Sequence, residues 1–341
     1  MRFATGWLRR AAAALLAMVP AFGANAADYK SEYRLSTVLP ATFAWGAAGE
    51  RWAALVGEKT GGRIAIKMYP GASLVDGDQT REFAGLLNGT IDMAIGSTIN
   101  WSPQVEALNL FSLPFLMHDF ADIDTLTRGP VGRELFRIVE GRGPVPLAWG
   151  ENGFRELSNS RRPITSPEDM KGLKLRVVGS PLFIDTMASL GAIPVELSWS
   201  DAKPALAERR VDGQENPLGI FLRANLAGLG QTHLTLWEYV ADPLIFAVNR
   251  EVWEGWTPAD REAVRQAAVV AAAENVAAAR RGLEGDQRPL LREIEAQGVR
   301  IVTLDVAGKQ AFRAATRSVY DKWAKIIGED LVRRAEEAVK H

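Results

Sequence analysis

Apolar positions recur along this chain with two different spacings, and short glycine stops separate them. Arg34-Leu35-Ser36-Thr37-Val38-Leu39 reads as a first strand. Residues 45–59 carry the wider spacing of an amphipathic helix, closed by Gly61-Gly62. Ile64, Ile66 and Met68 alternate as a second strand. Residues 80–87 read as a second helix ended by Gly89, and Ile91, Met93 and Ile95 as a third strand. Strand, helix, strand, helix, strand within roughly seventy residues predicts a parallel α/β sheet. The pattern restarts at 145–149, 173–178 and 193–197. Two successive α/β units imply two lobes with a cleft between them, a favoured place for small ligands.

The last third changes character. Thr257-Pro258-Ala259-Asp260 is a helix start, with threonine as cap and proline in the first turn. An alanine-rich run follows, passing Gly282 and Pro289 to a stop at Gly298. It predicts one long helix over about 258–297 that braces both lobes; its alanine-dominated face lacks the sustained heptad of a coiled coil. Ile301-Val302-Thr303 reads as a short strand, and the chain from Val306 onward as a final helical region. The expected organisation is lobe I at residues 27–150 plus about 243–275, and lobe II at 151–242 plus about 276–341.

The beginning of the chain says where such a protein works. Arg2, Arg9 and Arg10 precede an apolar run over 11–22, and Ala24-Asn25-Ala26 supplies a small-residue cleavage pattern. Residues 1–26 read as a secretory signal peptide cleaved near Ala26, so the mature chain is exported to the periplasm. The apolar run is short for a membrane span, and no other stretch qualifies. Of 341 residues, 47% are hydrophobic and 24% charged, with a formal charge of -1. Without the three leader arginines, 37 basic side chains face 41 acidic ones, a balance unlike a nucleic-acid surface.

Candidate chemistry is sparse. The absence of cysteine removes thiolate nucleophiles, Cys-ligated metals and disulfides. His118, His233 and His341 show no metal-ligand spacing and read as surface or interface residues. Gly-x-Ser-x-Gly and Walker-type loops do not occur, and no carboxylate pair asks for acid–base work. We therefore expect no catalytic residues, no metal and no cofactor.

One residue does ask for a ligand. Arg176 lies in the strand-like run Gly172-Leu173-Lys174-Leu175-Arg176-Val177-Val178, and Ser180-Pro181 follows as a cap opening a helix to about Leu190. A guanidinium near the carboxyl end of a strand, facing a helix N-terminus, makes an anion site. An arginine paired to a carboxylate at a sheet edge fits the same spacing, and both readings stay open here.

Glu168-Asp169-Met170-Lys171-Gly172-Leu173-Lys174-Leu175-Arg176-Val177 and Val211-Asp212-Gly213-Gln214-Glu215-Asn216-Pro217 together resemble the solute receptors of tripartite ATP-independent periplasmic (TRAP) transporters. Tyr69-Pro70-Gly71, Gly89-Thr90-Ile91-Asp92-Met93 and Asn152-Gly153-Phe154-Arg155 extend the resemblance over the mature chain. It implies a periplasmic-binding-protein-like fold of two α/β lobes that close on an organic acid and hand it to a membrane permease. It also implies roles. Arg176 resembles the arginine that pairs with the ligand carboxylate, and Arg155 a second ligand-facing arginine, with a structural salt bridge as its alternative. Asn216 matches an amide that contacts the ligand, and Trp199 a ring that covers it. Gln79 and Ser97 fall where sialic-acid-binding relatives carry acidic contacts, which speaks against a sialic acid. Asn100, Trp101, Trp237 and Asp242 are further cleft candidates, each with a loop-cap or core alternative. Two arginines among uncharged neighbours suggest a small hydroxy-carboxylate such as an aldonate or uronate, and leave a keto acid or dicarboxylate open. A sensory subunit for a membrane signalling protein would share the same site. An ABC-type binding protein or a periplasmic enzyme would fit the motifs less well.

Overall fold

The computed structural model describes residues 29–283 and 288–340, whose strands form two sheets. The signal-peptide reading and His341 fall outside these residues. The first sheet contains β1 (Tyr33–Ser36), β2 (Ile66–Tyr69), β3 (Met93–Ser97), β4 (Val145–Phe154) and β10 (Ala241–Val248), in the order β2-β1-β3-β10-β4. The second contains β5 (Glu156–Asn159), β6 (Lys174–Val177), β7 (Ile193–Glu196), β8 (Gly213–Asn216), β9 (His233–Leu236) and β11 (Arg300–Thr303), in the order β11-β9-β5-β8-β6-β7.

The expected parallel core is present in both lobes: β1 pairs in parallel with β2 and β3, and β6 with β7 and β8. Each sheet is nevertheless mixed. β10 runs antiparallel between β3 and β4, and β5 runs antiparallel between β8 and β9. Along β10, Leu244, Phe246 and Val248 join one apolar cluster while Ile245 and Ala247 join the other. A period of two sends these residues to opposite faces, so the sheet is covered on both sides.

The chain passes between sheets at two adjacent places. Arg155 alone separates β4 from β5, and residues 237–240 separate β9 from β10. The two strands of this ribbon are joined by Arg155 N–H donating to Val240 O at 3.1 Å. A third passage follows the Pro258–Ala279 helix. That helix starts as expected, with Thr257 accepting from Asp260 N–H, but it does not continue to Gly298. Gly282 turns left-handed at φ 79, and a separate helix begins at Pro289, whose ring cannot sit in a helix interior.

This break changes what braces the lobes. Val264, Ala267, Ala268, Ala271 and Ala272 of the long helix are buried, and the helix packs on the Ala44–Lys59 helix and β4. All of that is the first lobe. Bracing falls instead to the C-terminal segment, which is three helices: Val306–Ala315, Arg317–Ile327 and Glu329–Ala338. The middle one packs on the Glu106–Ser112 turn and on the Pro181–Ser189 helix of the second lobe. Trp323 Nε1 donates to Asp185 Oδ2 there at 2.7 Å.

Candidate functional site

The parallel strands of both lobes point their carboxyl ends toward the cleft, where open α/β sheets place their ligands. Val38 follows β1, Asn100 follows β3, Arg176 and Val178 close β6, Trp199 follows β7, and Asn216 ends β8. These residues line one cavity together with Leu39, Trp45, Gln79, Asn152, Arg155, Ile220 and Asp242. The lobes are closed over it, and its free volume is about 20 Å³. That is room for about one water molecule.

Arg176 is 1% exposed, and β6 is an interior strand between β8 and β7. The sheet-edge salt bridge does not form. Its Nε donates to Leu197 O at 2.9 Å, and its carbon centre lies 5.9 Å from the Trp199 ring centroid. Nη2 has no hydrogen-bond partner among the described residues. Burial pulls the Arg176 pKa down to about 10, Glu215 partly counters this, and Arg155 adds to the decrease. The group stays charged at neutral pH, and its burial is unfavourable until an anion meets it. The helix N-terminus does not line the cavity, and Ser180 turns its hydroxyl to Asn109 and Ser102 of the first lobe, at 3.4 and 3.2 Å.

Arg155 behaves differently. Its Nε and Nη2 grip the Glu215 carboxylate, Nη2 also reaches Glu215 O and Asn216 Oδ1, and Nη1 meets Asp242 Oδ2 at 3.2 Å. Burial works against its charge, but the ion pairs with Glu215 and Asp242 more than offset it and raise its pKa. Of the two alternatives from the sequence, the structural salt bridge is present, and the residue also borders the cavity. Its two partners come from different lobes, Glu215 on β8 and Asp242 on β10.

Asp242 sits at a bulge, where the β10–β4 register shifts before Pro243. A bulge re-aims a side chain and tolerates a proline in a central strand. The Asp242 carboxylate accepts from Ser97 Oγ, from Asn152 Nδ2 at 2.7 Å and from Arg155. Burial raises its pKa against these three stabilising partners. Gln79 donates to Asn100 Oδ1 at 3.0 Å and accepts from Trp199 N–H at 2.8 Å, joining the two lobes directly.

Seven of the ten predicted residues therefore line the cavity: Arg176, Arg155, Asn216, Trp199, Gln79, Asn100 and Asp242. Three do not. Ser97 lies behind Asp242 and caps the Thr98–Trp101 helix. Trp101 is a core ring packed edge-on to Phe83, and a Cβ on Gly96 would come within 2.0 Å of its indole. Trp237 is buried beside Tyr239, Phe115 and Phe312, with Nε1 donating to Arg155 O. Sequence reasoning missed Asn152, Trp45 and the buried carboxylate of Glu215 as parts of this site. Glu215 stood in the quoted motif beside Asn216, but only its pairing with Arg155 reveals its place.

The sequence profile of DctP, a bacterial extracellular solute-binding protein of family 7, matches residues 35–326. The chain belongs to this family. It is 59% identical to a TRAP periplasmic solute-binding protein from Ralstonia eutropha solved with (S)-2-hydroxy-2-methyl-3-oxobutanoate, (S)-2-acetolactate. That likeness has a TM-score of 0.91 and covers 91% of this chain and 99% of the other. A TRAP solute-binding protein from Chromohalobacter salexigens solved with D-glucuronate is 28% identical at TM-score 0.83, over 90% and 99% of the two chains. The 2,3-diketo-L-gulonate-binding periplasmic protein of Escherichia coli is 30% identical over 85% of this chain and 87% of its own. The chain is thus an extracellular solute-binding protein, similar over nearly its whole length to TRAP periplasmic solute-binding proteins. Its family is one of extracytoplasmic solute-binding receptors and not of enzymes. Among the described residues no helix is long and apolar enough to cross a membrane.

Proposed function

We propose that the ligand is a short, branched 2-hydroxy acid of the acetolactate type, anchored through its carboxylate by Arg176. The observation that carries this is the buried Arg176 guanidinium, whose Nε is engaged while Nη2 has no partner among the described residues, at the wall of the cavity. A carboxylate meets that need with two parallel charge-assisted bonds, and a neutral solute would leave the buried charge uncompensated.

Length and branching follow from the rest of the wall. Val38, Leu39, Trp45, Val178, Trp199 and Ile220 offer apolar surface for methyl groups. Most polar side chains of the lining are already engaged with one another: Gln79 with Asn100, Asn152 with Asp242, Arg155 with Glu215 and Asp242. Few donors remain for the hydroxyls of a hexuronate. The Asp242 carboxylate and the Asn216 amide suit one hydroxyl and one carbonyl oxygen near the acid. The relative at 59% identity, solved with such an acid, supports the same choice over the aldonate or uronate suggested by residue types alone. The moving units in this reading are the two sheets with their helices, hinged at Arg155 and at residues 237–240 rather than at the lobe bounds drawn from the sequence.

Titration calorimetry of the mature protein tests this with (S)-2-acetolactate, 2,3-dihydroxy-3-methylbutanoate, erythronate and D-glucuronate. The two branched acids are expected to bind at least tenfold tighter than glucuronate. Equal or tighter binding of glucuronate would overturn the assignment.

A further inference from the structure

We propose that the Gln79 carboxamide is an interlobe latch that limits how long an acid the closed cleft accepts. The length limit rests on the acid reading above; the latch itself rests on geometry.

Gln79 is 4% exposed, and both ends of its amide are engaged within the protein. Its nitrogen donates to Asn100 of the first lobe, and its oxygen accepts Trp199 N–H of the second. Trp199 opens the Trp199–Ala207 helix, so its N–H belongs to the first turn, which has no partner within the helix. The latch satisfies that donor. Gln79 is itself held in place, because Asp78 caps its turn by accepting from Thr80 N–H and Thr80 Oγ1.

The surrounding rim is built for close approach. A Cβ on Gly77 would lie 3.3 Å from Ser200 Oγ, and one on Gly179 would lie 2.9 Å from Thr80 Cγ2. These glycines let the 77–80 segment of one lobe meet 179 and 198–200 of the other. An acid anchored at Arg176 that extends toward this rim must displace the carboxamide. It would leave Trp199 N–H and Asn100 Oδ1 unpaired, each costing roughly five- to a hundredfold in affinity. A short acid also needs more than the present 20 Å³, but it can take that room on the side of Leu39, Trp45 and Ile220, which border a second cavity, and leave the latch intact. Shortening Gln79 removes the obstacle and turns those two groups toward the cavity, where hydroxyls of a longer acid can take them.

Two measurements decide this. In calorimetry, Gln79→Ala is expected to bind D-glucuronate at least tenfold tighter than the wild type while (S)-2-acetolactate weakens. Proportional loss for both acids, or no change in their ratio, overturns the length limit. Gln79→Met keeps bulk but cannot hydrogen-bond, and is expected to gain nothing for glucuronate. The second measurement needs no ligand. The chain has no cysteine, and a Cβ on Gly77 would lie 3.9 Å from Ser200 Cβ, within disulfide range; φ 79 at Gly77 strains a cysteine there, equally with and without a substitution at Gln79, so the two can be compared. In a Gly77→Cys/Ser200→Cys variant, disulfide trapping reports the closed population. Adding Gln79→Ala or Gln79→Met is expected to slow trapping about fivefold, the factor carried by one neutral hydrogen bond. An unchanged rate with both substitutions overturns the latch. Failure of every acid to bind the wild type would sink the acid reading, and with it the length limit, while the trapping rate still judges the latch.

Discussion

Replacing Arg176 by methionine should strengthen the ligand-free protein and abolish its function. Arg176 is buried with no compensating carboxylate in contact, and its pKa falls to about 10 because burial disfavours the charge. A decrease of that size corresponds to about 3 kcal/mol of unfavourable burial. The penalty is fully present below pH 10 and is relieved only as the pH rises above that value, so it applies throughout the neutral range. Methionine fills similar length without charge, so Arg176→Met is expected to gain up to about 3 kcal/mol in the ligand-free state. That gain raises the melting midpoint by a few degrees. The same change removes one partner of a buried charge pair with the ligand, a loss of about 3–5 kcal/mol, or roughly two to three and a half powers of ten in Kd. Arg176→Lys keeps the charge but not the fork, and should also lose much of the affinity without unfolding. Thermal melts with and without (S)-2-acetolactate, alongside calorimetry, read both effects. A ligand-free Arg176→Met protein that melts lower than the wild type would refute the stability reasoning. Near-wild-type acid binding by either variant would remove Arg176 from the site.

Glu215→Gln should destabilise by about 3–5 kcal/mol in urea unfolding, because it weakens the main partner of the buried Arg155 guanidinium; a loss under 1 kcal/mol would contradict this. Gly179→Ala places a methyl 2.9 Å from Thr80 Cγ2 of the other lobe, a contact made only when the lobes are shut, and 2.8 Å from Glu196 Oε1 of its own lobe, where the exposed carboxylate can swing aside. It is expected to weaken ligand binding about tenfold at an unchanged ligand-free melting midpoint, a split that calorimetry and melting resolve together. Glu82 is buried beside Ser36, and burial raises its pKa from 4.5 to about 8. The folded state then holds a proton that the unfolded chain releases, so stability falls as the pH rises from about 4.5 through 8, by at most about 5 kcal/mol. Buried Glu156 is raised to about 8 as well, so Glu82→Gln should remove roughly half of the fall in urea midpoint between pH 6 and pH 9; an identical slope in both proteins would exclude Glu82 as a source.

Local periodicity and stop signals made much of the fold legible. β1, β2 and β3, the Ala44–Lys59 helix and the start at Thr257-Pro258 follow from spacings of two and 3.6 and from caps, which act between near neighbours. What failed lacked such a local signature. All eight residues of β10 are buried, so it shows no alternation, and β5 and β8 carry Glu156, Ser158, Gln214 and Asn216 inside a sheet. The alanine run concealed the end of its helix at Ala279, where Gly282 and Pro289 needed more weight.

The chain by itself determined the family, the two-lobed plan and the candidacy of Arg176, because motifs and periodicity are properties of adjacent residues. Only the tertiary structure separated the two arginines. Arg155 finds its carboxylates 60 and 87 positions away in Glu215 and Asp242, whereas Arg176 is enclosed without one. Charge compensation in a buried site depends on which distant strands the fold brings together, and no local pattern records it.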